Sequence, residues 1–217
     1  MTDVHLRAQE SRGTSSGVLH ERALELLTEV GAGGALVVDV GCGTAVLRER
    51  LIKLFGRYVG VDVVRHPGLS LTVEFVQADL DAGRFAVPDE AADAVVSIET
   101  IEHLENPRAF MRELRRIAKP GAWILISTPN QLSLLSKLTL LTKNQFNAFQ
   151  ERDYPAHITA LLEPDLLRIA SEAGLRDARV GYSLQGRVPL SGRHFPGFAA
   201  RLFPRALSDN LFLLARR

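Results

Sequence analysis

The chain has 217 residues, with 26 Lys plus Arg against 25 Asp plus Glu. A net charge of +1 supplies no global field that would draw the molecule to nucleic acid or anionic lipid, so partners must be argued from local sites. The length suits one α/β domain with an added lid and leaves no expectation of a second core. Cys42 is the only cysteine, so no intrachain disulfide can form; this fits a reducing compartment, and a cytoplasmic location is expected.

Residues 1–17 are polar and rich in Ser, Arg and Gly, and read as a flexible leader without the apolar run of a signal peptide. No later run is long enough to span a bilayer. Over 18–30, Leu19, Ala23, Leu26, Leu27 and Val30 recur at helical spacing before a Gly-Ala-Gly-Gly stop, which predicts an amphipathic helix. The Val-rich run 35–40, ended by Gly41, predicts a parallel strand buried on both faces. Helical spacing resumes over 46–55. Further strands are predicted at 58–61, 73–77, 94–98 and 123–127.

The clearest helix spans 107–118, with Pro107 in its first turn and Phe110, Leu114 and Ile117 as its inward stripe. Opposite that stripe, Arg108, Arg112, Arg115, Arg116 and Lys119 read as a solvated face rather than an RNA site. Pro120-Gly121 then breaks the pattern. Residues 131–142 are Leu-rich and 144–155 polar and aromatic, and 131–155 together read as a lid. The leucines at 132–141 suit packing on the sheet, with peripheral contact to a membrane as the competing reading. A helix over 164–173 is stopped by Gly174, and strands follow at 178–184 and 210–215. Between them, 185–208 carries Pro189, Pro196, Pro204 and several Arg, as a surface excursion would. The alternation of strands and helices predicts a doubly wound α/β domain with a mostly parallel sheet and helices on both faces.

The strongest chemical signal is VVDVGCGT at 37–44, a buried strand ending in a Gly-x-Gly turn before a helix. Glycines there let the backbone approach a ligand at the strand ends, where open α/β sheets bind cofactors. Asp62 follows about twenty residues later at the end of the next strand, placed to accept hydrogen bonds from ribose hydroxyls. The third glycine of a dinucleotide fingerprint would fall at 46, which is Val46, and Asp39 precedes the turn. A carboxylate there suits a ligand carrying ammonium and sulfonium cations better than a pyrophosphate. Asp79 could accept the adenine amino group. The competing reading makes Asp39, Asp62 and Asp79 strand-end polar residues or helix caps.

With VGVD at 59–62, VQADL at 76–80, DAVVSIETIEHLENP at 93–107 and KPGAWILISTPN at 119–130, the chain resembles the class I S-adenosylmethionine-dependent methyltransferases from about residue 18 to its end. The resemblance implies a Rossmann-like sheet of seven strands with an antiparallel last one. It also implies a cofactor site at Asp39, Gly41, Cys42, Gly43, Asp62, Val63, Asp79 and Leu80. In that site Asp39 and the glycines line the methionine portion, Asp62 the ribose and Asp79 the adenine; Cys42 is a small turn residue.

Glu99, Glu102 and His103 form a second signal at the end of the fourth strand, where a helical turn would put them on one face. The cluster is similar to that of the ubiquinone-biosynthesis O-methyltransferases and of the methyltransferases acting on the terminal ribose of small RNAs. That likeness implies a divalent metal held by Glu99, Glu102 and His103, with His157 as a fourth ligand; carboxylates with one or two imidazoles suit magnesium or manganese, with zinc and iron left open. Three readings stay open: a metal site, a metal-free general base at His103, or polar residues that close the strand. The expected function is O-methylation of a small-molecule hydroxyl, with His103 and Glu102 as catalytic residues. N-methylation and a non-catalytic S-adenosylmethionine-binding protein are the alternatives.

Overall fold

A computed structural model describes Arg7 and residues 13–217; the rest of the expected leader lies outside the described residues. The strands are β1 (Gly34–Val40), β2 (Phe55–Asp62), β3 (Glu74–Gln77), β4 (Ala92–Ile98), β5 (Ala118–Pro129), β6 (Arg176–Tyr182) and β7 (Asn210–Arg216). They form one sheet in the order β3-β2-β1-β4-β5-β7-β6. The first five run parallel, and β7 is antiparallel to both β5 and β6. The antiparallel last strand is therefore as the sequence implies, although it inserts inside the sheet rather than at its edge.

Period-two alternation along the central strands feeds two cores, one on each face. Val37, Ala94, Val96 and Leu125 meet Leu19, Ala23 and Leu27 of α1 (Gly17–Glu29) on one side. Their neighbours Val38, Val95, Ile124 and Ile126 meet Phe110 and Leu114 of α3 (Pro107–Ile117) and Leu166 and Ile169 of α5 (Glu163–Glu172) on the other. Helix starts follow their caps: the Ser16 side chain accepts from the Leu19 N–H, and Asn106 accepts from Ala109 ahead of Pro107.

Two sequence expectations change. The helical spacing over 46–55 yields one turn, α2 (Arg48–Leu51), because the β1–β2 ladder already begins at Gly34 and Phe55 and draws Phe55 into the core. Only Leu47 and Leu51 of that stretch are buried beside it, too narrow a stripe to hold a longer helix. The strand expected at 123–127 is longer: α3 ends at Ile117 ahead of Pro120-Gly121 as expected, but β5 starts directly after it and runs through that pair, with the β4–β5 register shifting between Ala92 and Ala94 as at a bulge. The 131–155 segment contains α4 (Leu134–Lys143) and a 3-10 turn, Glu151–Asp153. The 185–208 excursion carries an isolated bridge, Arg187 to His194, and α6 (Gly197–Leu202). Among the described residues no helix is long and apolar enough to cross a membrane.

Candidate functional site

The carboxyl ends of β1, β2 and β4 converge on a cavity of about 370 Å³, the position the topology of open α/β sheets favours for ligands. Its floor is the turn after β1. Gly41 (φ 77°) and Gly43 (φ 52°) hold left-handed conformations, and a Cβ on either would overlap the Thr100 side chain or the Gly13 backbone respectively. The Gly41 and Cys42 N–H groups donate to Val61 O. The Asp62 carboxylate accepts the N–H of Gly43 at 2.8 Å and of Val63 at 2.7 Å, so the two strand ends are tied together.

Asp39 is buried, with the Tyr58 hydroxyl donating to it at 2.7 Å. Burial pushes its pKa up to about 7, and the charge of Asp62 adds to the shift. Asp62 is raised as well, chiefly by burial against the opposing main-chain hydrogen bonds. Burial pushes the Cys42 thiol far up, which leaves it inert and fits its reading as a turn residue. Asp39, Gly41, Cys42 and Asp62 line the cavity; Gly43, Val63, Asp79 and Leu80 do not. Asp79 is exposed, and its carboxylate accepts the Asp81 N–H at 2.9 Å in a turn beyond β3.

The second cluster is built differently from the single helical face that its spacing suggests. Glu99 takes a left-handed conformation (φ 50°), and the following 3-10 turn, Ile101–His103, carries Glu102 and His103. Glu99 turns toward Asn210 of β7, whose amide donates to it at 2.8 Å. Glu102 is fully buried; Thr128 donates to one of its carboxylate oxygens at 3.1 Å, while Oε1 has no partner among the described residues. Burial pushes both carboxyls up to about 7, with the charge of Glu102 adding to the shift of Glu99.

His103 and His157 each place Nδ1 against a main-chain carbonyl, Ala156 O at 2.7 Å and Ala148 O at 2.6 Å. A carbonyl only accepts, so Nδ1 carries the proton and Nε2 is the basic nitrogen of each ring. Burial lowers the pKa of His103 against the opposing pull of main-chain carbonyls. The ring centroids are 4.8 Å apart, edge to face, and one ligand atom each from Glu102, His103 and His157 lies within 4.8 Å of the others. Glu99 stands outside this triad.

A second cavity of about 210 Å³ shares Glu99, Arg152, Asp153 and His157 with the first, and extends to Gln131, Ser136 and Asn210. Sequence reasoning missed three parts of the site. Gly13, Thr14 and Ser15, placed within the leader, line the first cavity. His20 lines it too, with Nε2 2.7 Å from the Ser15 hydroxyl and a buried Nδ1 without partner. Its spacing from Ala23 and Leu27 on the buried face of α1 was the available signal. Asn210 and Thr128 come from strands that only the sheet order brings beside the cluster.

The methyltransferase domain family matches residues 17–180. A Mycolicibacterium smegmatis protein named "Probable S-adenosylmethionine-dependent methyltransferase" is 29% identical over 163 residues, covering 70% of this chain and 62% of that protein. A ubiquinone biosynthesis O-methyltransferase of Thiobacillus denitrificans is 28% identical over 159 residues, covering 68% of this chain and 67% of its own length. The chain thus spans about three-fifths of the first of these relatives. A crystal structure of an S-adenosylmethionine-dependent methyltransferase from Archaeoglobus fulgidus shares the fold with a TM-score of 0.64 at 18% identity, over 99% of this chain and 100% of that one.

Proposed function

The chain belongs to the class I S-adenosylmethionine-dependent methyltransferases, and from that premise we propose that it methylates a hydroxyl oxygen of a small molecule. The observation that carries this reading is the pair of joined cavities, with Glu99 and His157 on their shared wall and His103 and Glu102 beside it. S-adenosylmethionine supplies an electrophilic methyl group on a sulfonium cation. The chain's part is to hold that cation and the acceptor in line and to exclude water. In this reading the glycine turn and Asp39 hold the amino-acid end, and Asp62 uses its remaining lone pairs on the ribose. A hydroxyl acceptor in the second cavity must lose its proton, and an imidazole Nε2 at the junction can take it.

The buried, unpartnered Oε1 of Glu102 beside two imidazoles with fixed tautomers fits a divalent cation. Glu102, His103 and His157 would hold it, with Glu99 kept aside by Asn210. Such a cation would supply Lewis acidity that makes an acceptor hydroxyl easier to deprotonate. Two nitrogen donors and one oxygen suit manganese, iron or zinc better than magnesium.

The experiment is turnover with a panel of hydroxyl-bearing acceptors, before and after chelation and with metals added back. Chelation should slow the reaction and one metal should restore it. Glu102→Gln should lower turnover by about a hundred-fold or more while calorimetric affinity for S-adenosylhomocysteine stays within a few-fold. Full turnover in chelator would end the metal reading and leave His103 as base; turnover on amines alone would end the hydroxyl reading.

A further inference from the structure

Helix α4 is inside out. Its buried residues are Ser136 and Thr139, whereas Leu134, Leu138 and Leu141 occupy one exposed face at i, i+4 and i+7, with Leu141 83% exposed. The same inversion occurs in α6, which buries Ala200 and exposes Phe198 and Leu202, each 71% accessible, followed by exposed Phe203. The two segments are joined: the Leu134 N–H donates to Ala206 O at 2.7 Å, and the Asn130 amide donates to the carbonyls of Arg205 and Ser208. Several large apolar side chains in neighbouring segments therefore face water, where isolated ones would need no explanation.

The charge around them is one-sided. Residues 130–150 and 183–208 contain no Asp or Glu but carry Lys137, Lys143, Arg187, Arg193, Arg201 and Arg205. The whole chain is only +1, so the remainder is net acidic; these stretches stand apart by lacking anions rather than by an excess of cations. Arg187 and Arg205 are paired with Asp209 and Glu163; Lys137, Arg193 and Arg201 have no acidic partner among the described residues. Exposed Leu and Phe side chains in segments that also carry the unpaired cations Lys137, Arg193 and Arg201 match the chemistry of an anionic bilayer surface, where apolar side chains enter the acyl boundary and cations meet the headgroups.

We propose that the face formed by α4 and residues 190–205 docks on anionic membrane surfaces. The inference is independent of the metal and of the acceptor class. Because Ser136, on the inward face of α4, lines the second cavity, the docked helix separates that cavity from the lipid by one helix thickness.

The full chain should co-sediment with vesicles of phosphatidylcholine containing one-third phosphatidylglycerol and stay in solution with phosphatidylcholine alone. Leu141→Glu with Phe198→Glu should cut binding at least ten-fold, and Lys137→Ala with Arg201→Ala by roughly twenty-five-fold, at about five-fold per cation. Unchanged calorimetric affinity for S-adenosylhomocysteine will show that these variants are folded. Equal pelleting with both vesicle types, or none, overturns the proposal. So does a dimer in solution that the same substitutions dissociate without any vesicle binding, which would make this face an interface between copies of the chain.

Discussion

Asp62 accepts two main-chain N–H groups that shape the glycine turn, so on the proposed reading its loss removes both the ribose acceptor and the clasp beneath it. Asp62→Ala should weaken S-adenosylhomocysteine about ten- to a hundred-fold by calorimetry, and unchanged affinity would remove Asp62 from the site. Glu102 calls for a different measurement. Its folded pKa, about 7, lies above the ordinary carboxyl value of 4.5 because the buried charge lacks water. A raised folded pKa means that the stability it contributes is complete below about 4.5 and is lost as pH rises through about 7. Glu102→Gln removes that loss. In chelator the variant should therefore be more stable than the parent at pH 8, by on the order of 1–3 kcal/mol, with the gap closing toward pH 4.5. Denaturant titrations across that range check the sign; a gap that widened as pH fell would contradict it.

At the scale of elements, the β-strands were legible because Val-rich runs bounded by Gly, Pro or Asp leave few alternatives. The turn at 37–44 was legible because a Gly-x-Gly after a buried strand marks a place where positive φ and close packing both exclude a side chain, here against Thr100 and Gly13. The short α2 was not, since periodicity over 46–55 cannot show that a ladder claims Phe55. The same limit hid Asn210, whose role arises from a contact across the sheet, and it made Glu99 and Glu102 look like one face when Asn210 draws one of them aside; Ser15 and His20, bonded to each other five residues apart, were instead hidden in the polar leader and on the buried face of α1. The 131–155 segment is proposed as a lid on energetic grounds. It buries polar Ser136 and Thr139 rather than leucines, so little apolar area holds α4 down, while the Ala148 carbonyl reaches His157 in the site. Amide exchange over 134–155 should slow when S-adenosylhomocysteine and an acceptor are added together, and equal protection with and without them would rule out closure.

At the scale of the molecule, the topology concentrates acid. The strand order places the ends of β1, β2 and β4 side by side, the two cores close both faces of the sheet, and buried Asp39 and Glu102 and half-buried Glu99 are left with pKa values raised to about 7. Around neutral pH the ligand-free protein therefore holds protons that a cation should displace. On the proposed reading, Asp39 faces the cationic end of the cofactor and must be ionised to bind it well. Below pH 7 that ionisation is part of the binding cost, so S-adenosylmethionine affinity should rise roughly ten-fold from pH 6 to pH 8 and then level off. S-adenosylhomocysteine, which lacks the sulfonium charge, should show a smaller rise, and Asp39→Asn should flatten both profiles. Calorimetry in buffers of differing ionisation enthalpy counts the protons directly. Net release near pH 6.5 that disappears by about pH 8.5 is the expected result, and proton uptake, or an affinity flat across the range, would show that Asp39 does not face the cation.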